Sequence, residues 1–345
     1  MAVTITTFAL AAFLQRCFEA GGYSAGNAAS VTAHLLDAEM CGVTSHGVNR
    51  LGWYLELARD GALIPEALPR VTELSPNAVT VDGQGGIGIV AMEHALAEVT
   101  ARAKTGLIAM VGITNCGHTG RIGAYAEQAA RDGCFAFCTG GGGRDKWSDV
   151  VPFGGSKPVM STNPYALALP GADGQPAVCD FAISTVASGK VAIARANGTE
   201  LPEGCITDAN GNPSTDPEDF YAGGSLLPAA GAKGSGLGIM AELIGSALLG
   251  PAREFNWLMI AIRADAFQTP DIYRDGAAAF SSLVRNTPPA PGFDRVRMPG
   301  DMEAERRAAC LEAGAITLPD GVIQGLKTAA ASVGQPLWDG DAAPA

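Results

Sequence analysis

The stretch TSHGVNRLGWY, residues 44–54, sets Ser45 beside His46, then Arg50 and Tyr54, in a chain with only 4 histidines. Read as a helix start, Ser45 is the N-cap and accepts a backbone N–H one turn on. His46, Arg50 and Tyr54 then project within about 80° of one another, as one stripe along the helix. The positive end of the helix dipole and Arg50 both lower the pKa of His46. A neutral imidazole beside an anion-binding guanidinium is what a general base next to a substrate carboxylate requires. The competing reading is a solvated helix face with a plain cap. Four such side chains together favour the chemical one.

His118 lies in NCGHTGRIG, after a strand and before a helix. Loops at strand ends are where α/β proteins place their sites. Arg121 is the one cation near it in sequence, so His118 is expected to take a proton more easily than His46. That makes His118 the acid/base, with His46 and Ser45 polarising the substrate. His34 and His94 fall inside helices and read as structural. Asp180 ends the strand AVC, where a carboxylate could hold a histidine tautomer or a ribose. GAKGSGLG, residues 231–238, puts Lys233 and Gly234 at a helix N-terminus. This is an anion cradle or an ordinary capping turn. It is not a Walker A loop, whose residue order is absent.

The elements that must carry these residues begin with helices across residues 5–62, with Phe8, Phe13, Cys17 and Phe18 sharing one face. The second helix runs from Ser24 to Met40, and the third from Ser45 to about Asp60. From Ala78 the pattern changes. AVTVD, LIAMVGIT and CFAFCTG read as strands alternating with two helices, which means an α/β domain. YALALP and AVCDFAI read as further strands between tight turns. SGLGIMAELIGSALLG reads as one buried apolar helix, followed by the strand WLMIAIR. TPPAPGFDRVRMPG is an extended connector, because its prolines disfavour helix. MEAERRAACLEAG and GVIQGLKTAAASVG are terminal helices, and the tail past Leu337 is expected to fray.

Gly83, Gly85 and Gly88 form G-x-G-x-x-G between a strand and a helix, the context of a dinucleotide fingerprint. The companion acid, about 20 residues on at the next strand end, is missing from VGITNCG. With 45 glycines in the chain such a match arises cheaply, and the stretch reads as a tight turn.

The 345 residues are 47% hydrophobic with a net charge of −12, enough for two domains. No dense Lys/Arg run supports a nucleic-acid partner. No segment reaches the roughly 18 apolar residues of a membrane helix. No basic n-region precedes the apolar start, so a cytoplasmic protein is expected. The eight cysteines show no C-x-x-C, and the closest pair, Cys134 and Cys138, has no histidine nearby, so neither a metal site nor a disulfide framework is expected.

These pieces, in this order, resemble the malate/L-lactate dehydrogenase family, which includes ureidoglycolate dehydrogenase, sulfolactate dehydrogenase, diketogulonate reductase and the piperideine/pyrroline-2-carboxylate reductases. The resemblance rests on TSHGVNRLGWY, GHTGRIGAYAEQAARDG, VVPFGG, STNPYALALP, DFAIS, LPEGCITDANGNPSTDP, LLPAAGAKGSGLG and TPPAPGFDRVRMPG. LLPAAGAKG and PAPGF look most like the ureidoglycolate branch. The resemblance implies an α/β fold that binds NAD or NADP on a non-Rossmann, mixed-sheet domain, residues 76–284. A helical, substrate-side domain would be built from residues 1–75 and 285–345.

It further implies that Ser45 and His46 face the substrate and that Arg50 and Tyr54 hold it. His118 or His46 is the acid/base, and Asp180 is a carboxylate beside the nicotinamide. Ser161, Thr162, Asn163, Asp180, Phe181, Ala182, Ile183, Ser184, Lys233, Gly234, Gly300, Asp301 and Glu303 match cofactor-contacting positions. A homodimer acting on a small 2-oxo, 2-hydroxy or cyclic 2-imino acid is implied. A catalytically silent nucleotide-binding relative is the rival reading. Three departures bear on the substrate pocket: the enlarged loop GGGRDKW (141–147), Ala232 before Lys233, and the direct passage through PAREFN after Gly250.

Overall fold

A computed structural model describes residues 2–337 and the backbone of Ala342–Ala343. Strand β1 (Val3–Thr6) leads into helices α1 (Thr7–Ala20) and α2 (Ala25–Met40), two 3-10 turns (Thr44–His46 and Val48–Arg50) and α3 (Leu51–Arg59). Next come β2 (Arg70–Ser75), β3 (Ala78–Asp82), α4 (Gly88–Gly106), β4 (Ile108–Cys116), α5 (Gly123–Arg131) and β5 (Cys134–Gly141). The single helical turn α6 (Arg144–Trp147) precedes β6 (Tyr165–Leu169) and β7 (Ala177–Phe181). A small appendage holds α7 (Ser188–Asn197), β8 (Ile206–Thr207), β9 (Pro213–Ser214), α8 (Pro217–Tyr221) and β10 (Ser225–Leu226). Then follow α9 (Ala232–Leu243), a π-helical turn (Ile244–Leu248), β11 (Phe255–Arg263), α10 (Pro270–Arg285) and α11 (Asp301–Ala313). β12 (Ala315–Leu318), α12 (Asp320–Ser332) and β13 (Ala342–Ala343) complete the order.

The large sheet runs β2-β3-β4-β11-β5-β6-β7. β3 and β4 are parallel, joined by α4; the other five pairings are antiparallel. The mixed sheet expected from the sequence is therefore built. A doubly wound fold has successive parallel strands, and this sheet has one parallel pair. α4 and α5 pack Met92, Ala95, Val99, Ala126 and Ala129 onto Val81, Val111, Ile113, Trp257 and Met259. A second core joins Phe13, Leu14, Phe18, Leu35 and Tyr54 to Ile316, Leu318 and Leu326 near the other end of the chain. β1 pairs with β12, stitching the two termini of that unit. The appendage core holds Val150, Met160, Ile183, Ile206 and Leu226.

Several expectations need correction. β-branched residues make β1 a strand before α1 begins. Phe8 is 82% exposed, five positions or about 140° from Phe13, which falls on the solvent face. The third helix starts at Leu51, not Ser45. The chain is extended at Gly47 (ψ −154), and the buried Glu39 carboxylate accepts the Val48 N–H at 3.0 Å, breaking the segment into two short turns. The apolar helix α9 is not buried, because Leu237, Ile239, Met240 and Leu243 face outward. Helix α10 was not read from the sequence; it has no buried residue. β2 pairs with β3 in the large sheet, although its residues precede position 76. All eight cysteines are free thiols. No helix among the described residues is long and apolar enough to cross a membrane. The tail expected to fray lies outside the described residues, apart from the backbone of Ala342–Ala343 on β1.

Candidate active site

Ser45, His46, Arg50, Tyr54 and His118 come together where the two 3-10 turns and α3 meet the loop between β4 and α5. Ser45 does not cap a helix; its hydroxyl bonds His46 Nδ1 at 3.0 Å. The His46 and His118 rings stack at 5.4 Å and 18°. Tyr54 is buried and its hydroxyl lies 2.6 Å from His118 Nδ1, which also receives the Gly120 N–H at 3.3 Å. Tyr54 therefore orients a histidine and does not line the continuous helical stripe expected. Arg50 donates Nε to the Ser45 carbonyl at 2.6 Å, which leaves its two terminal nitrogens free to fork onto an anion.

Burial, then Arg50 and Arg121, holds His46 down to about 4. Burial, with His46, Arg50 and His34 nearby, pushes His118 well below the ordinary histidine range. Both rings are thus held below the ordinary range, and charge does not single out His118 as the more readily protonated of the two. Arg121 does not sit free beside His118. It is buried and paired with Asp37 at 2.9 Å and Glu127 at 3.3 Å, and its backbone N–H goes to His34 Nε2 at 2.9 Å. Arg307 of α11 joins that cluster through Glu127 and Asp37, so the His118 loop is tied to α2, α5 and α11. His34 is structural, as expected. With Tyr54 donating to Nδ1, neutral His118 carries its proton on Nε2. When Nδ1 is protonated instead, the Tyr54 hydroxyl can turn to accept it.

Asp180, at the end of β7, accepts the Gly123 N–H at 2.9 Å and so reaches the start of α5, five residues beyond His118. Desolvation holds its carboxyl above the usual carboxylate range, opposed by that bond and by Arg121, while Glu303 adds to the upward push. Around it, backbone bonds join three of the expected cofactor stretches. Ile183 donates to the Thr162 carbonyl and Ala229 to the Ile183 carbonyl, joining residues 161–163 and 180–184 to the turn before α9. Phe181 stacks on Tyr165 at 5.9 Å, and Ala182 continues that strand end. Glu242 of α9 accepts from the Ser161 N–H, the Gly142 N–H and Asn163 Nδ2.

Ser161 Oγ, Asn163 Oδ1 and Ser184 Oγ are buried without a hydrogen-bond partner. Buried polar atoms are seldom left so; a ribose hydroxyl or an amide N–H would satisfy Asn163 Oδ1, and the two serine hydroxyls could donate to a ribose or phosphate oxygen. Lys233 is exposed on the first turn of α9, and Gly234 leaves no room for a side chain, since a Cβ would lie 2.2 Å from the Ala229 carbonyl. This set of donors and an acceptor fits a dinucleotide. Gly300 packs on Val178, and Asp301, the first residue of α11, accepts the Met298 N–H at 2.8 Å and pairs with Arg285 at 2.7 Å. Asp301 is thus committed within the chain. No group of three His, Cys, Asp or Glu side chains among the described residues could hold a metal ion.

Sequence reasoning missed two aromatic residues. Trp53 meets His118 edge-on at 5.1 Å and lies under Arg50 at 5.2 Å. Trp147, on α6, meets Trp53 edge-on at 6.3 Å. Trp53 was visible within the opening motif, whereas nothing local marked Trp147 as its partner.

A sequence profile described as malate/L-lactate dehydrogenase matches residues 5–327. The Delta(1)-pyrroline-2-carboxylate/Delta(1)-piperideine-2-carboxylate reductase of Pseudomonas putida is 36% identical over 250 residues, 72% of either chain. The ureidoglycolate dehydrogenase (NAD(+)) of Escherichia coli K12 is 32% identical over 323 residues, 88% of this chain and 89% of its own. The crystal structure of malate dehydrogenase from Entamoeba histolytica superposes with a TM-score of 0.90 at 23% identity, covering 98% of this chain and 99% of that one, a likeness of fold.

Proposed function

The chain belongs to the malate/L-lactate dehydrogenase family, and from that premise we propose an NAD- or NADP-dependent oxidoreductase acting at C2 of a small 2-hydroxy or 2-oxo acid. The observation that carries the reading is the Ser45–His46–His118–Tyr54 cluster with the unpaired end of Arg50 beside it. The dinucleotide, when bound, supplies or accepts the hydride. Ser161, Thr162, Asn163, Phe181, Ala182, Ile183, Ser184, Lys233 and Gly234 would hold it, flanked by Gly300 and Glu303. Lys233, exposed on the first turn of α9, would meet a phosphate.

Arg50 forks onto the substrate carboxylate. His118 exchanges the proton at the C2 oxygen through Nε2, steadied by Tyr54 at Nδ1. His46 and Ser45 polarise that oxygen. Asp180 fixes the start of α5 and so the far side of the His118 loop. In reduction the C2 carbonyl gains a hydride at carbon and a proton at oxygen; oxidation runs the reverse.

A cyclic 2-imino acid is the second reading, favoured by the similarity to the P. putida reductase. There the same proton goes to nitrogen. The parting into an NAD(P)-binding unit (76–284) and a helical unit (1–75 with 285–345), and a cytoplasmic setting, belong to this proposal. So does a homodimer, whose support is the outward apolar side chains of α9 and of α10, Phe280 and Leu283 among them.

The test is a panel of 2-oxo acids and cyclic imino acids assayed with NADH and with NADPH. Turnover of at least one class with one dinucleotide is expected. Dinucleotide binding with no turnover of any member would instead support the silent binding relative.

A further inference from the structure

The loop between β5 and Val150 brings Trp147 against Trp53, and through Trp53 against His118. We propose that Trp147 is a specificity-determining wall of the substrate pocket, selecting 2-oxo or 2-imino monocarboxylates whose C2 substituent is apolar. This rests on the function proposed above.

The wall is built, not loose. At its base a Cβ on Gly141 would lie 2.2 Å from the Ala241 carbonyl, and one on Gly143 would lie 2.4 Å from the Glu254 carbonyl, so the loop leaves β5 pressed against its neighbours. The Gly142 N–H is held by Glu242 at 2.7 Å. At its tip, Lys146 forms an ion pair with the largely buried Glu254 and lies 5.2 Å from the centre of the Trp147 ring. Both tryptophans are half-buried and their rings meet at 90°, an aromatic corner beside the histidine.

Charge narrows the choice. Three cations act on the histidines or touch the tryptophans, while Arg144, on the same turn as Trp147, is exposed and turned to Asp145 at 3.9 Å. Arg121 is paired with Asp37 and Glu127, and Lys146 with Glu254. Arg50 alone keeps free donors, enough for the one carboxylate at C1. A second carboxylate or a sulfonate at C3 would face ring edges and faces with no free cation, and leaving a charge unpaired there is costly. An alkyl, aryl or saturated-ring substituent would pack on the same surfaces favourably.

The experiment compares kcat/KM for pyruvate, phenylpyruvate, oxaloacetate and Δ1-piperideine-2-carboxylate in the wild-type protein and in Trp147→Ala, Trp147→Phe and Lys146→Met. Dinucleotide affinity is measured alongside by fluorescence titration. The wild-type protein should prefer the apolar substrates over oxaloacetate by at least about tenfold, the scale of hydrophobic-pocket discrimination. Trp147→Ala should lower kcat/KM for them about 10–100-fold and leave oxaloacetate within about threefold, with dinucleotide affinity unchanged. Trp147→Phe should keep most of the preference, and Lys146→Met should fall between. A preference unaltered in all three variants, or a wild-type protein that favours oxaloacetate, overturns the wall while the oxidoreductase reading stands. No turnover of any substrate by the wild-type protein overturns that reading, and the wall with it.

Discussion

Burial keeps both site histidines neutral at pH 7, with His46 down to about 4 and His118 well below the ordinary range. For a reduction that needs a proton from imidazolium, the sign follows directly. The active form grows as pH falls, so kcat for reduction should rise below pH 7, and the oxidation direction should prefer neutral and higher pH. The geometry distinguishes the two rings where charge does not. His118 has Nδ1 fixed by Tyr54 and Gly120, leaving one nitrogen for chemistry, whereas His46 shares Nδ1 with an exposed serine. His118→Asn should lower kcat by about 10²–10⁴ and flatten the acid limb. His46→Asn should lower kcat/KM and keep the limb. A limb intact in His118→Asn and gone in His46→Asn would exchange the roles.

Between elements, the close approach of two turns sets where His118 stands. A Cβ on Gly88, the first residue of α4, would lie 2.2 Å from the Gly117 carbonyl and 2.8 Å from that of His118. Gly88→Ala should therefore cost about 1–3 kcal/mol by overpacking and displace the histidine. Gly26→Ala, with nothing within 4 Å, serves as control. A Gly88→Ala protein with wild-type Tm and kcat would show that the turns can part freely. The same glycine shows what the sequence made legible. G-x-G-x-x-G marked a tight strand–helix turn, and its purpose as a rest for the His118 loop needed the fold. Strands β3 to β7 and β11 were legible because short β-branched, aromatic or otherwise apolar runs are bounded by turn residues. The helix expected at Ser45 was not what forms, because a carboxylate nine residues before Val48 takes its N–H, and no local pattern carries that. Helix α10 was legible but went unread: Thr269 and Pro270 mark its start, and Ile272, Phe280 and Leu283 recur on one face at helical spacing. Ser45, His46, Arg50 and His118 were legible as chemistry; Trp147 joins them only through a contact 94 positions from Trp53 in sequence.

Across the whole molecule, the unit that carries Ser45, His46 and Arg50 is closed by residues from the far end of the chain. Its core unites Phe13, Phe18 and Tyr54 with Ile316 and Leu326, and β1 finds its partner at Ala315–Leu318. During synthesis on a ribosome the first helices emerge early and must wait for some 250 further residues before their apolar faces can be covered. The large sheet, whose strands lie between, can assemble in that interval. The site is thus completed last, when the closing segment arrives, and until then the nascent chain carries an exposed apolar surface that invites chaperones. A chain ended at residue 300 should keep a protease-resistant sheet and be cut within residues 7–60, where the full-length chain resists. Equal protection of that segment in both would mean that the opening helices fold without their distant partner.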